Sequence, residues 1–556
     1  MVRHNYFSGS SPKYRMSMVF LTIAAISAWL SRAQLANGFS RVFGDGYDTT
    51  IEISILEHWF NVFRGLSHWS RTNYFFPHPQ TLGYNDGYFL YGVLYSMYRG
   101  AGADPYLSAA FVHLSMQMAG FAFFYLFARQ ALQIRFAYAL AGATVFALSN
   151  NIVIHTLHAQ LLSVAFAPLC ALLLFHAWRA WIGRRPVRLF AYASSFALIY
   201  GAWALTAFYM LWFFTFFTTV VLTLLAATRP KELRRLASEL NLKTVLALIA
   251  SFAVLGLALL PFLQVYLPKA RETGMHQIVS VMNYLPAPYD LVNLGLGNYL
   301  YGDMIRYLHT TVGFPEIFSE KQMGLTPGLW LAFLAACLFL WRQRGAPTDD
   351  AAGTRTLIAA MAAATVVTCI STLDLGGITA WHWVFHYFPG ARAIRVPSRY
   401  LIFLAFPVIC VATYFLSQER SKNWRFVSVG VCLFLIGEQL NMARYEAIDR
   451  VASMRRLAAV KPPPPGCRAF FVEDRRPLAP GQGDADLIYR HNVEAMLIAE
   501  YFNLLTINGH SSFSPPDWGF DKPQNPEYSL HVHKYQQFHR LAGLCALDLA
   551  SLEWSL

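Results

Sequence analysis

Tyr400-Leu401-Ile402-Phe403-Leu404-Ala405-Phe406-Pro407-Val408-Ile409-Cys410-Val411-Ala412-Thr413-Tyr414-Phe415-Leu416 contains no charged residue. At about 1.5 Å of rise per helical residue, a run of this length approaches the ~30 Å hydrocarbon core of a bilayer. Arg399 stands at one end, and Arg420, Lys422 and Arg425 follow the other. Similar runs recur along the 556-residue chain, which is 56 % hydrophobic and only 13 % charged, whereas soluble proteins are about one-quarter charged. The sequence therefore reads as an all-α polytopic membrane protein. Spans are expected near 16–35, 106–128, 136–150, 157–178, 187–205, 206–227, 244–266, 324–341, 357–373, 399–417 and 425–441, about eleven transmembrane helices.

The net charge of +13 is distributed in alternate loops. Arg3/Lys13/Arg15, Arg129/Arg135, Arg179/Arg184/Arg185/Arg188, Arg229/Lys231/Arg234/Arg235/Lys243, Arg342/Arg344/Arg355 and Arg420/Lys422/Arg425 mark one side, and the intervening loops are longer and basic-poor. This is the positive-inside pattern, with a cytoplasmic N-terminus and an extracytoplasmic C-terminus. A nucleic-acid-binding stripe would not skip every second loop, so no nucleic-acid partner is expected. The first span lacks a convincing cleavage site and reads as retained.

The transmembrane domain, 1–441, carries long outer loops at 36–105, 267–323 and 374–398. A basic amphipathic stretch and the linker Lys461-Pro462-Pro463-Pro464-Pro465-Gly466 fill 442–466, leaving a small C-terminal α/β extracytoplasmic domain at 467–556. There Ala469–Val472 reads as a strand, Val493–Asn503 as helix or strand, Asn508-Gly509 as a turn and Tyr528–Gly543 as a helix. Five of seven cysteines fall in spans, where buried thiols act as small hydrophobes. Cys467 and Cys545 lie outside them, and an oxidising compartment would allow these two to pair.

The first outer loop is densest in chemistry. Gly44-Asp45-Gly46-Tyr47-Asp48-Thr49-Thr50-Ile51-Glu52 places carboxylates at the membrane surface, where they are costly unless solvated or used. Thr49-Thr50-Ile51-Glu52 matches a capping box, and Ile53, Ile55, Leu56, Trp59, Phe60 and Phe63 form the apolar face of an expected interfacial helix. Asp48 or Asp45 is a candidate catalytic carboxylate; the plain alternative is a helix cap and a glycine turn. Asp86, in Asn85-Asp86-Gly87, is a third carboxylate or a solvated turn residue.

His155 and His158 share i,i+3 spacing, and His382 and His386 share i,i+4 spacing without the glutamate of an H-E-x-x-H zinc motif. No metal and no cofactor are expected. No Walker loop or dinucleotide fingerprint is present, which argues against a nucleotide-driven pump or a nucleotide-sugar enzyme.

A first span, an outer acidic motif opening an interfacial helix, and a loop returning to the second span together resemble the GT-C superfamily, polytopic glycosyltransferases that use polyprenyl-phosphate-linked sugars. The likeness is to uncharacterised bacterial and YfhO-like members, some of which carry a motif similar to Asn508-Gly509-His510-Ser511-Ser512-Phe513-Ser514-Pro515-Pro516. The resemblance implies a bacterial inner-membrane enzyme that inverts the anomeric centre by direct displacement. It implies a lipid-linked sugar donor, a glycan, lipid or protein acceptor, and Asp48 or Asp45 as general base.

The leaving lipid phosphate would need cations. Arg392, Arg395 and Arg399 cluster before the span quoted above, where Pro397 suits a helix start and arginine forks suit phosphate oxygens; headgroup snorkelling is the alternative. Arg271 and Glu272 form a second candidate for phosphate and acceptor, or an interfacial pair. Two other functions compete: a transporter or lipid flippase, and a non-catalytic envelope-assembly protein. The spans hold almost no Asp or Glu apart from Glu438, which favours surface chemistry over passage.

Overall fold

The computed structural model describes residues 12–230, 234, 238, 240–313, 319–343, 352–418, 421–442, 448–477 and 484–556. The protein is mostly helical, with few strands. Among the described residues, eight helices are long and apolar enough to cross a membrane: Pro105–Gln130, Phe136–Val153, Ala159–Ile182, Pro186–Thr206, Phe208–Thr228, Leu242–Thr273, Gly353–Thr372 and Pro397–Leu416. The chain is an α-helical membrane protein. Helices also occupy the other three expected positions, but Pro327–Arg342 and Lys422–Gly437 have only 16 residues each, and Pro12–Leu30 opens with Lys13 and Arg15.

The run quoted first is the central helix. Its most apolar window is 94 % buried within the protein, against 11 % for Leu242–Thr273, so the first packs against protein and the second presents its surface to lipid. Close helix contact needs small residues. Gly201 provides one: a Cβ there would stand 2.4 Å from the Ala258 carbonyl oxygen of Leu242–Thr273. The expected 187–205 and 206–227 spans separate at Ala207, which is extended, and Asp86 Oδ1 accepts the Phe208 backbone N–H (3.2 Å) at the start of the second helix.

Glu438 is buried and fixed: it accepts from Thr326 Oγ1, from the Gly328 N–H (3.0 Å) and from Tyr301 (3.1 Å). It thereby satisfies donors at the entrance of Pro327–Arg342, groups that a helix cannot satisfy internally.

Strands β1 Arg41–Val42 and β2 Ile448–Asp449 form a short antiparallel pair, and the C-terminal region contains a four-stranded sheet in the order β4-β3-β5-β6, with β3 Ala469–Glu473, β4 Leu505–Thr506, β5 Leu544–Asp548 and β6 Trp554–Ser555. Strand β3 runs parallel to β4 and β5, and β5 is antiparallel to β6. Val493–Asn503 falls largely in a helix, Asp484–Tyr501, and Tyr528–Phe538 forms the later one. Cys467 and Cys545 are joined by a disulfide. Asn508 is a buried anchor rather than an exposed turn residue: it accepts the Val472 N–H and donates to Asn492 and Tyr528.

This region docks on the 36–105 segment. Phe76 N–H donates to Thr506 O (2.9 Å), Thr506 N–H to Asn73 O (2.8 Å) and Phe75 N–H to Asn508 O (3.0 Å), so backbone hydrogen bonds tie 73–76 to the chain around β4. Glu500, fully buried, accepts the Asn73 N–H at 2.7 Å. The expected interfacial helix is Asp48–Phe63, with Asp484–Tyr501 packed on it. It is buried on its polar side as well, including Glu52, Glu57, His58 and Asn61. Surface amphipathicity therefore does not describe it: Glu52, Glu57, His58 and Asn61 each bond to other protein groups where the periodic pattern suggested water.

Candidate functional site

The start of Asp48–Phe63 separates the two acidic candidates. Asp45 Oδ1 accepts the backbone N–H groups of Tyr47 (3.0 Å) and Thr49 (3.1 Å). It is the residue that satisfies the helix entrance. Burial raises its pKa, the two N–H bonds partly offset that, and the charge of Asp48 raises it further. The expected capping box does not form: Thr49 Oγ1 accepts the Asp45 N–H, while Glu52 is buried against His113 at 2.8 and 3.0 Å.

Relieved of capping, the Asp48 carboxylate stands 41 % exposed with Oδ2 3.1 Å from His158 Nδ1. The other ring nitrogen of His158 is 3.6 Å from Glu320. Glu320 in turn receives a two-pronged bond from Arg399, at 2.8 and 3.2 Å. The arrangement is a carboxylate–imidazole–carboxylate–guanidinium chain running from an open end at Asp48 to a buried end at Arg399. His158 sits just before the helical stretch Ala159–Ile182 and Arg399 just before Tyr400–Leu416, so helix entrances position both ends.

Electrostatics follow from that order. Desolvation pushes the Asp48 carboxyl up, but the His158 hydrogen bond and the charges of His158, Arg399 and His510 outweigh it and leave its pKa below the ordinary value. Glu320 behaves likewise: burial raises its pKa, and the charge and hydrogen bonds of Arg399, then His158 and His155, bring it below normal. His155 is a supporting residue, its Nε2 3.0 Å from Gln322 O and its ring stacked on His158 at 6.3 Å. Burial above all, with the neighbouring His158, lowers its pKa to about 4.

The three arginines are treated differently by the fold. Arg399 is buried and engaged by Glu320. Arg395 is half-buried, its guanidinium 5.7 Å from the Tyr284 ring centroid; its backbone N–H donates to Tyr209 Oη. Arg392 is exposed. A phosphate approaching this mouth would meet Arg395 first, because Arg399 already has a carboxylate. Asp86 lies behind, at the Phe208 helix start; burial raises its pKa to about 6 despite the Phe208 N–H and the charge of Arg399.

Arg271 and Glu272 sit elsewhere. Glu272 accepts from Tyr84 Oη (2.6 Å) and Lys269 Nζ (2.8 Å), Lys269 is buried, and Arg271 is exposed. Lys269 also donates to Tyr84 Oη (2.9 Å) and so closes a polar contact between Leu242–Thr273 and the 36–105 segment.

The C-terminal region supplies aromatic groups. The rings of Tyr489 and His510 meet at a tilt, centroids 4.0 Å apart, Tyr489 meets Tyr47 edge-on at 6.0 Å, and burial, then the charge of Asp48, raises its pKa while Arg395 lowers it. Burial lowers the His510 pKa to about 4, partly offset by Asp48. Sequence reasoning did not single out Glu320 or Tyr489. The His155-x-x-His158 spacing was the only local signal for the imidazole.

A separate cleft is lined by Trp29, Arg32, Gln34, Phe111, His113 and Gln439. The Gln34 amide is buried and has no hydrogen-bond partner among the described residues. That cleft contains none of Asp48, His158, Glu320 and Arg399.

No protein-family model matches the chain, and no curated protein matches it. Functional assignment rests on side-chain geometry.

Proposed function

We propose that the protein is a membrane glycosyltransferase of the GT-C type, moving a sugar from a polyprenyl-phosphate donor to a glycan, lipid or protein hydroxyl. The observation that carries this reading is Asp48: a carboxylate released from capping, open at one oxygen and oriented by His158, with Tyr489 within electrostatic reach of both it and Arg395. In this reading Asp48 takes the acceptor proton as the acceptor oxygen attacks the anomeric carbon. The bond from that carbon to the phosphate oxygen breaks, and the lipid phosphate leaves with its charge facing Arg395. An alcohol is a weak nucleophile, and a positioned base is worth roughly 10²–10⁴ in rate. His158 holds the carboxylate in line, and Glu320 with Arg399 holds His158.

The same reading takes about eleven spans, a cytoplasmic N-terminus and an extracytoplasmic site and C-terminal domain in a bacterial inner membrane. The transporter alternative needs mobile carboxylates in the spans. Glu438 instead has three fixed donors.

The test is donor binding and turnover by full-length protein in nanodiscs. Polyprenyl-phosphate hexoses and pentoses are supplied with an envelope extract as acceptor source. We expect release of polyprenyl phosphate, with donor binding weakened about tenfold or more in Arg395→Gln and little changed in Arg392→Gln. Failure to bind any such donor would contradict the proposal.

A further inference from the structure

At the junction between the first outer loop and the C-terminal region, His78, Asp517 and His539 converge. Asp517 presents one oxygen 3.0 Å from His78 Nε2 and the other 2.6 Å from His539 Nε2. One ligand atom from each residue can be chosen so that all lie within 4.8 Å of one another. We propose that these three side chains form a divalent transition-metal site of the zinc class, which staples the C-terminal region to the first outer loop.

Each side chain is placed by backbone that has other reasons to be there. His78 ends a turn in which its N–H donates to Phe75 O (3.0 Å), directly after the segment bonded to Thr506 and Asn508. Asp517 precedes Trp518, whose indole N–H donates to Ile507 O and whose ring packs on Phe75. His539 closes the helix Tyr528–Phe538, its ring 4.3 Å from Tyr535, and Tyr535 Oη donates to Phe76 O. Ligands fixed in this way lose little freedom on binding a metal.

The ligand chemistry selects the ion. Two imidazoles and one carboxylate suit zinc and its neighbours, while magnesium and calcium prefer oxygen alone. Ligand bonds of about 2.0–2.2 Å set tetrahedral ligand atoms roughly 3.3–3.6 Å apart, so the cluster needs to open by under an ångström at its tightest pair. His78 Nε2 is buried and makes no hydrogen bond of good geometry despite facing Asp517. Asp517 is 34 % exposed, leaving an entry path and room for water as a fourth ligand. The site does not depend on the transferase reading.

The experiment uses the full chain, stripped with chelator and then given zinc or cobalt chloride. Expected are one zinc per chain after desalting and a cobalt spectrum of nitrogen–oxygen ligation without thiolate bands. Zinc should protect His78 and His539 from acylation, read by mass spectrometry, and should slow proteolysis of the junction. His78→Gln and His539→Gln should unfold at the wild-type temperature in chelator but lose the zinc-induced rise, with affinity at least tenfold weaker. Wild-type protein that binds no zinc, or zinc that leaves both histidines reactive, overturns the proposal even where the variants fail to fold. Equal zinc affinity in the variants also overturns it.

Discussion

Two histidine–carboxylate pairs lie one turn apart on the same helix, and they have opposite surroundings. Glu52 and His113 are both buried, bonded at 2.8 and 3.0 Å, and the second nitrogen of His113 has no hydrogen-bond partner among the described residues. Asp48 and His158 are 41 and 25 % exposed, and the second nitrogen of His158 faces Glu320. The inner pair is closed to solvent, so its value lies in holding Asp48–Phe63 against Pro105–Gln130. The outer pair is open to a reactant and backed by a chain of charges. The same side-chain chemistry is thus structural in one place and available for reaction in the other, and access to solvent makes the difference.

Changes to each pair should separate these roles. The largest effect is expected from Glu52→Ala, which leaves His113 buried without its carboxylate and should cost about 3 kcal/mol. Thermal unfolding would read this, while turnover per folded molecule stays near wild type. A low turnover with unchanged stability would break the comparison. His158→Gln should reduce transfer on the order of tenfold, as expected for a residue that orients a base. It should also move the acid limb of the pH profile upward, because Asp48 loses the hydrogen bond and charge that lower its pKa.

Asp45→Ala should cost about 1 kcal/mol of stability through the lost cap and leave turnover per folded molecule nearly unchanged. If turnover falls instead, the roles of Asp45 and Asp48 are reversed. The smallest effect concerns Asp86. Its folded pKa of about 6 lies above the ordinary carboxylate value, so the folded state binds more protons between roughly pH 4 and 6. The stability this contributes is present below that window and lost as pH rises through it. Asp86→Asn should flatten that fall in unfolding temperature.

Much of the fold was legible because apolar length and charge spacing are local properties. Tyr400–Leu416 could be recognised from its residues alone, and so could the two extramembrane cysteines that pair. The spacing of aspartates and threonines could not say which group caps the helix, since Asp45 and Thr49 both lie within reach of free N–H groups and only the backbone path decides. Glu320 gave no signal: its meaning comes from Arg399 and His158, which are distant in sequence. Tyr489 and His510 belong to a region that is bonded to 73–76 through Thr506 and Asn508, over four hundred positions later. Helical periodicity likewise marked Ile53, Ile55 and Leu56 as buried but could not foresee that Glu52 and Glu57 would be buried too.

The most direct test of the account is transfer by Asp48→Asn and Glu52→Gln proteins, purified in the same way and normalised to folded protein. Asparagine keeps the size of Asp48 and removes the base. The account predicts a loss of about 10²–10⁴ for Asp48→Asn at an unchanged unfolding temperature, and a lowered unfolding temperature with retained turnover for Glu52→Gln. Undiminished transfer by folded Asp48→Asn would contradict it.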